Sequence, residues 1–174
     1  MMKRVVLAAM LLALSAAPAL AADPILPDAT MTPGVVMKSL TTGAAVGTKK
    51  ICVTGYSSTV RNVPQAVKNQ AYKEYGLTPT PGGYEVDHLI SLELGGANDI
   101  KNLWPQSYHG TWNAHVKDHL ENVLHKKVCD KTLAPAKADA LLAQVQHEIS
   151  TDWVKAYKKY VGATPTSGKT GNGG

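Results

Sequence analysis

The stretch from Tyr84 to Trp104, YEVDHLISLELGGANDIKNLW, constrains the fold of this chain more than any other part of the sequence. Its first half is a short apolar run typical of a half-buried strand, and Asp87 and His88 interrupt that run. Residues 95–99, Gly-Gly-Ala-Asn-Asp, are the turn-forming types that a tight loop needs. An apolar segment resumes at Leu103, so the pattern predicts a chain that turns back on itself.

Asp87 and His88 are adjacent, and successive strand residues point to opposite faces of a sheet. The two side chains can therefore share one flat surface only if a bulge or a strong twist re-aims one of them.

The segment DHLISLELGGANDIKNLW, residues 87–104, resembles the core of the HNH (His-Asn-His) endonucleases of the ββα-metal, or His-Me finger, superfamily. The pattern of that family is an Asp-His pair on a first strand, a Gly-Gly-x-x-Asp loop, and an Asn-Leu pair that opens a second strand. The match is dense over this segment and weaker over the helix that follows. The resemblance implies an α+β fold with a small ββα-metal hairpin-helix core, additional helices and an extended N-terminal arm.

Residues 1–21 have the features of a secretory signal peptide. Lys3 and Arg4 precede the apolar run Val5–Leu14, and Ala19-Leu20-Ala21 has the small-x-small form of a signal-peptidase site. The apolar run is shorter than the ~20 residues that span a bilayer. An N-terminal anchor helix is the alternative. We predict cleavage and export to the periplasm or the cell exterior, with no membrane association afterwards.

Cleavage would leave a chain long enough for one domain with a hydrophobic core. It would remove two of the 18 Lys and Arg residues and none of the 13 Asp and Glu residues, so the mature net charge is +3. This mild surplus is compatible with a polyanionic substrate but does not identify one. We divide the mature chain into an extended N-terminal arm (22–50), an HNH nuclease-like domain (51–161) and a flexible tail (162–174).

Periodicity and helix start and stop signals predict further elements on both sides of the hairpin. They are a short strand at Lys49–Val53, helices over Gln65–Tyr75, Thr111–Val128 and Thr132–His147, and a last helix capped by Thr151-Asp152. The chain has two cysteines, Cys52 and Cys129. Because an exported protein meets an oxidising compartment, we predict a disulfide between them, with two buried free thiols as the alternative. Two cysteines cannot supply the four-cysteine structural zinc site of many HNH proteins.

Phosphodiester hydrolysis needs a deprotonated water, a cation that neutralises charge on the phosphate and leaving group, and groups that hold both in line. His88 is the candidate general base, since an ordinary imidazole has a pKa near ~6.5. Asp87 offers a hard carboxylate to a divalent cation. The resemblance implies that Asn102 bonds across the hairpin, fixes the loop and orients the His88 ring.

The third signature residue, a His or Asn on the helix, is a choice among Asn113, His115 and the less favoured His109. At roughly 100° per residue, Asn113 lies within about 20° of the apolar direction of the helix Thr111–Val128, and His115 lies about 140° away. We therefore predict Asn113 as the second metal ligand and keep His115 as the alternative.

One carboxylate, one amide or imidazole, and oxygens from water and phosphate favour Mg²⁺ or Mn²⁺. If His115 were the ligand, Zn²⁺ or Ni²⁺ would become candidates. Nothing resembles a base-reading helix or a zinc finger, so we expect contacts with the nucleic-acid backbone and little sequence preference. The candidate phosphate contacts are Lys101, Lys117, Lys126 and Lys127.

The leading hypothesis is an exported, metal-dependent endonuclease that acts on DNA, with RNA as a second candidate substrate. The resemblance implies 5′-phosphate and 3′-hydroxyl ends. One alternative is a binding module that keeps an HNH-like fold without turnover, and another is a secreted structural protein with incidental histidines. The joint presence of Asp87, His88 and Asn102 favours the enzyme, because a pure binder does not need a base.

Overall fold

The computed structural model of the chain describes residues 25–165, which form five α-helices and a two-stranded antiparallel sheet. Two single turns of 3-10 helix, Leu92–Leu94 and Ile100–Asn102, lie between the strands. The mixture of helices and antiparallel strands confirms the predicted α+β class. The elements are α1 (Thr48–Ile51), α2 (Tyr56–Val60), α3 (Gln65–Glu74), β1 (Tyr84–His88), β2 (Leu103–Ser107), α4 (Ala114–Val128) and α5 (Pro135–Tyr160).

The two strands form the predicted hairpin, with Tyr84 opposite Ser107 and His88 opposite Leu103. The sheet ends at His88, although the apolar run continues to Leu94. That second half of the run forms a loop whose leucine and isoleucine side chains are buried in the core. The apolar pattern therefore reflects burial in two successive structures, a strand and then a loop.

Helices α4 and α5 pack against each other and form most of the hydrophobic core. The helix predicted after the hairpin is confirmed, although it begins at Ala114 rather than Thr111. The two C-terminal helices predicted from the sequence are joined in α5, which kinks at Asp152. Asp152 has non-helical φ and ψ angles of −166° and 93°, and its Oδ1 accepts a hydrogen bond from the Lys155 N–H at 2.9 Å. It therefore caps the final segment as predicted, but no loop separates the two parts.

The prediction of a short strand at Lys49–Val53 is wrong, because these residues form part of the single-turn helix α1 and the turn that follows it. Asp139 of α5 accounts for the difference. Its Oδ1 accepts hydrogen bonds from the N–H and the hydroxyl of Thr48, both at 2.7 Å. A partner 91 positions away thus stabilises a turn that local β-propensity does not predict.

The N-terminal arm packs along the loop of the hairpin. The N–H of Gly34 donates to the Lys101 carbonyl at 3.0 Å, and Val36 forms an isolated antiparallel bridge with Gly96. The Trp153 indole N–H donates to the Ile25 carbonyl at 2.8 Å, which attaches the start of the arm to α5. The predicted signal peptide and residues 166–174 of the predicted tail lie outside the described residues.

The predicted disulfide is confirmed, with Cys52 and Cys129 bonded and their Cα atoms 5.5 Å apart. It joins the end of α1 to the end of α4 across 77 positions of sequence. Closing a loop of this length stabilises a fold by at most ~4.5 kcal/mol on the chain-entropy model. Within residues 25–165, no helix is long and apolar enough to cross a bilayer.

Candidate active site

Asp87 and His88 lie at the end of β1 and contact different parts of the protein. The Asp87 carboxylate meets Lys117 of α4, and the His88 ring meets Asn98 in the loop between the strands. This division follows from the alternation of side chains along a strand. His88 is almost completely buried, with 6% of its surface exposed.

The residue that bonds to the His88 ring is Asn98, whereas the resemblance implied that Asn102 orients this ring. His88 Nε2 lies 2.9 Å from Asn98 Oδ1, and Asn98 Nδ2 donates to the Val60 carbonyl at 2.7 Å. Because the amide nitrogen is used by Val60, the oxygen faces the ring and Nε2 must carry the proton. The neutral His88 ring is therefore left with Nδ1 as its basic nitrogen.

Burial lowers the pKa of His88, although the hydrogen bond to Asn98 and the charge of Asp87 oppose this effect. Desolvation disfavours the imidazolium, so the ring stays neutral to lower pH than an exposed histidine does. A buried neutral imidazole with a fixed tautomer can accept a proton at neutral pH.

Asn102 holds the loop that carries the site. Its Oδ1 accepts hydrogen bonds from the N–H groups of Ile90 and Val35, and its Nδ2 donates to the carbonyls of Ile90 and Ala97. The side chain is fully buried, so these bonds satisfy both ends of its amide. The Asn102 side chain therefore fixes the loop. Its hydrogen bonds go to backbone groups of the loop and the arm, not to the His88 ring.

Two glycines permit the close packing of this loop. Gly95 has a φ of +77°, a conformation that glycine adopts without strain. A Cβ added to Gly96 would lie 1.7 Å from the Ile90 carbonyl oxygen, so any side chain there would displace the backbone. The Gly-Gly pair in the sequence thus meets two separate requirements of the fold.

Lys117 is buried between the hairpin and α4, with 1% of its surface exposed. Its Nζ lies 2.6 Å from Asp87 Oδ2, donates to the His88 carbonyl at 2.8 Å, and pairs closely with Glu121. Burial alone would lower the pKa of Lys117, but the two carboxylates outweigh it and raise the pKa above its usual value. Lys117 therefore has no access to a substrate phosphate, and the prediction that it contacts one is wrong.

Further polar side chains share the face of the hairpin that carries Asp87. Glu85 lies two positions earlier on β1, and Gln106 lies opposite Glu85 on β2. Burial and the charge of Asp87 raise the pKa of Glu85 to about 7, although the Tyr108 hydroxyl donates to Glu85 Oε2 at 2.8 Å. Gln106 is 2% exposed, and neither end of its amide has a hydrogen-bond partner among the described residues.

Asp118 of α4 adds another carboxylate close to this face. Partial desolvation raises the pKa of Asp118, whose side chain is 54% exposed, and the charge of Asp87 raises it further. Asp118 in turn raises the pKa of Glu85. The Lys117 ammonium opposes this repulsion, because its charge lowers the pKa values of both Glu85 and Asp118. Glu85, Gln106 and Asp118 lie outside the Asp-His and Asn-Leu pattern of the HNH resemblance, so the sequence gives no signal for them.

Asn113 and His115, the two candidate ligands on the helix, do not join Asp87 in this structure. Asn113 is the N-cap of α4, where its Oδ1 accepts from the Val116 N–H at 3.2 Å and its Nδ2 donates to the Gly110 carbonyl at 3.0 Å. The His115 side chain is 44% exposed and its ring stacks on Tyr108. The helix begins after Asn113, so the helical angle used to select that residue does not apply.

Arg61 follows α2 directly and is exposed beside the site. Its charge lowers the pKa values of Glu93 and Asp118 in opposition to their burial, and it adds to the lowering of the His88 pKa. Within residues 25–165 it is the only arginine, and no acidic side chain there forms an ion pair with it. Lys101 is also exposed, on the turn that precedes β2.

The chain matches no family model, no curated protein and no solved structure.

Proposed function

We propose that this protein is a metal-dependent endonuclease of the HNH type that hydrolyses phosphodiester bonds of DNA, with RNA as a second candidate substrate. The observation that carries the proposal is His88, a buried neutral imidazole whose tautomer is fixed by Asn98. This arrangement leaves Nδ1 as an unprotonated basic nitrogen at neutral pH, which a general base requires. The hairpin followed by α4 supports the same proposal, because it is the element order that the sequence resemblance implies.

In the proposed reaction, His88 Nδ1 removes a proton from the attacking water. The Asn98 bond holds the ring in position, and the low pKa keeps Nδ1 free of a proton. Asn102 acts as a positioning residue, because it fixes the loop without touching the ring. Arg61 is the candidate contact for the substrate phosphate, since a planar guanidinium can bind two phosphate oxygens at once.

The residues near Asp87 fit a hard divalent cation. Mg²⁺ keeps several water ligands and needs only one or two carboxylates from a protein. Asp87 and Asp118 would hold the ion, and the unpartnered amide of Gln106 is suited to bind one of its waters. When bound, the cation would neutralise negative charge that develops on the phosphate. Asp118 thereby replaces Asn113 and His115 as the proposed second ligand.

Asp118→Asn is expected to weaken Mn²⁺ binding by at least ~10-fold, because it removes a charged oxygen ligand from an exposed position. Electron paramagnetic resonance of free Mn²⁺ measures the affinity without reference to activity. Glu74→Gln is the matched control, since Glu74 is an exposed carboxylate at the end of α3. Equal affinity in Asp118→Asn and wild type would remove Asp118 from the proposed metal site.

Arg61→Ala is expected to raise KM by about 10-fold, which corresponds to a charge-assisted bond of roughly 1.5 kcal/mol. Arg61→Lys should recover only part of the loss, because lysine keeps the charge but not the planar fork. The measurement is steady-state cleavage of a labelled oligonucleotide, with exposed Lys137→Ala as the control. A KM that stays at the wild-type value in Arg61→Ala would exclude the phosphate contact.

Labelled DNA and RNA oligonucleotides of mixed sequence test the proposed function against its non-catalytic alternative. An endonuclease cuts them internally in Mg²⁺ or Mn²⁺ and leaves ends that a ligase can rejoin, as expected for 5′-phosphate products. A binding module would instead shift the oligonucleotides in a fluorescence anisotropy assay and leave them intact. Binding without cleavage in either metal would therefore favour the alternative.

The confirmed disulfide also supports the proposed export of the chain, because structural disulfides persist in oxidising compartments.

A further inference from the structure

Cys52, His125 and Cys129 form a second cluster of potential metal ligands, separate from the carboxylates around Asp87. Their ligand atoms all lie within 4.8 Å of one another, and all three side chains are partly accessible to solvent. His125 and Cys129 are four positions apart at the end of α4, so they share one side of the helix. Cys52 approaches them from the end of α1.

In the oxidised protein the two sulfur atoms are bonded to each other and offer no thiolate to a metal. A thiol or phosphine reductant would supply two electrons, break the S–S bond and leave two thiol groups after uptake of two protons. Binding of a divalent ion would then release both protons and give two thiolate ligands. Only the reduced protein can therefore use all three side chains.

The surrounding fold holds the three residues together without the disulfide. Ile51 is 1% exposed in the core, and the Cys52 N–H donates to the Thr48 carbonyl at 3.0 Å. Thr48 is in turn bonded to Asp139 of α5. Ligand atoms around a tetrahedral Zn²⁺ are about 3.5–4 Å apart. The cluster needs only side-chain adjustment to reach that spacing.

One carboxylate lies within electrostatic reach of this cluster, which is flanked by the lysines of the last turns of α1 and α4, Lys49, Lys50, Lys126 and Lys127. Burial raises the pKa of Glu93, and the neighbouring His125 opposes that rise, which places a carboxylate within electrostatic reach of the His125 ring. Among residues 25–165, the hydrogen-bond contact of His125 Nε2 is a weak one, 3.3 Å from the Ile51 carbonyl oxygen. The imidazole can therefore turn to a metal at little cost in hydrogen bonding.

We propose that the reduced protein binds one Zn²⁺-class ion through the Cys52 and Cys129 thiolates and the His125 imidazole. Two thiolates and an imidazole select a borderline or soft ion, whereas the carboxylates near Asp87 suit a hard one. The ion would take the place of the disulfide as the link between α1 and α4 whenever the chain is reduced. This site is independent of the proposed nuclease chemistry.

Cobalt titration of the phosphine-reduced, full-length protein under anaerobic conditions tests the proposal. We expect one Co²⁺ per chain, with thiolate-to-cobalt charge-transfer and tetrahedral d–d absorption bands that Zn²⁺ removes. His125→Ala should weaken Co²⁺ binding by at least ~10-fold, and Cys52→Ser with Cys129→Ser should abolish the bands. His147→Ala, which changes an exposed histidine of α5, should bind like wild type.

Three results would overturn the proposal. They are the absence of thiolate bands in the reduced wild type, equal affinity in His125→Ala and wild type, and equal affinity in the urea-unfolded reduced chain. Circular dichroism of each reduced variant shows whether the fold is retained. The oxidised protein should give no thiolate bands.

Discussion

His88→Ala is expected to lower kcat for DNA cleavage by about 10²- to 10⁴-fold, the range associated with loss of a general base. The variant keeps Asp87 and the loop bonds of Asn102, so its affinity for DNA should change little. Removing the ring also leaves Asn98 Oδ1 without its partner, so a modest decrease in thermal stability should accompany the loss. Single-turnover cleavage and a DNA-binding isotherm measure the two effects separately.

His147→Ala serves as the control for this substitution, because it removes an exposed imidazole from α5. It should retain wild-type kcat and affinity. If His88→Ala cleaved as fast as wild type while remaining folded, His88 would not be the base. If it lost activity only because it had unfolded, the melting curve would show that directly.

The pH dependence of wild-type cleavage follows from the lowered pKa of His88. The active form of a general base is its neutral form, and activity falls as the pH drops through the pKa. The acid limb of kcat/KM against pH should therefore lie below the ordinary imidazole value of ~6.5. An acid limb above that value would contradict the assignment of His88 as a buried neutral base.

Lys117→Met is expected to lower the free energy of unfolding by roughly 3–5 kcal/mol at neutral pH, the usual cost of stranding a buried charge. Methionine approximates the length of the lysine chain, so little packing volume is lost. The destabilisation comes from Asp87 and Glu121, whose carboxylates lose their shared ammonium. Urea denaturation gives the free energy directly.

The effect of Lys117→Met has a pH dependence of defined sign. Burial already holds the pKa of Glu121 well above its usual value, and loss of the Lys117 ammonium, which lowers that pKa, would raise it further. The unfolded chain then releases protons more easily than the folded chain, so stability is lost as the pH rises above the unfolded carboxyl pKa of ~4. The free energy of unfolding of Lys117→Met should differ strongly from that of wild type at about pH 7–8 and only slightly at pH ~4.

Two further variants make the Lys117 prediction decisive. Lys126→Met changes an exposed lysine of the same helix and should alter stability by less than ~0.5 kcal/mol. Adding Glu121→Gln to Lys117→Met removes one stranded carboxylate and should recover part of the lost stability. A loss below ~1 kcal/mol at neutral pH in Lys117→Met would show that the three charges are not coupled as described.

The hairpin and the helix after it could be predicted from the sequence because their signals are local. Strand-forming residues, the Gly-Gly pair and the helical spacing of apolar residues all act within a few positions of one another. The disulfide followed from the number of cysteines and the expected compartment. The turn at Lys49–Ile51 could not be predicted, because Asp139 caps it from another helix.

The partner of His88 shows why local pattern is insufficient for a site. Asn98 and Asn102 both lie in the polar loop, and the resemblance selected Asn102. Asn98 is oriented by the Val60 carbonyl, 38 positions away, a contact that sequence spacing does not show. Asn113 was selected by helical angle, yet it is the residue that caps the helix.

A signal for Lys117 was present in the sequence. Lys117, Leu120 and Leu124 recur at helical spacing, so a lysine lies on the apolar stripe of α4. Glu121 is four positions from Lys117, which is the spacing of a helical ion pair. Together these positions indicate a buried pair rather than a solvated one. A third charged residue, Asp87, reaches this pair only because α4 packs on the hairpin, and the sequence does not show that packing.

Conversion of supercoiled plasmid by the purified, oxidised protein is the most direct test of the proposed nuclease activity. Nicked and then linear DNA should accumulate in Mg²⁺ or Mn²⁺ and should not form in EDTA. A parallel preparation of His88→Ala should leave the plasmid supercoiled, which excludes a contaminating nuclease. Intact plasmid after incubation of the wild type with either metal, or equal conversion by wild type and His88→Ala, would contradict the proposal.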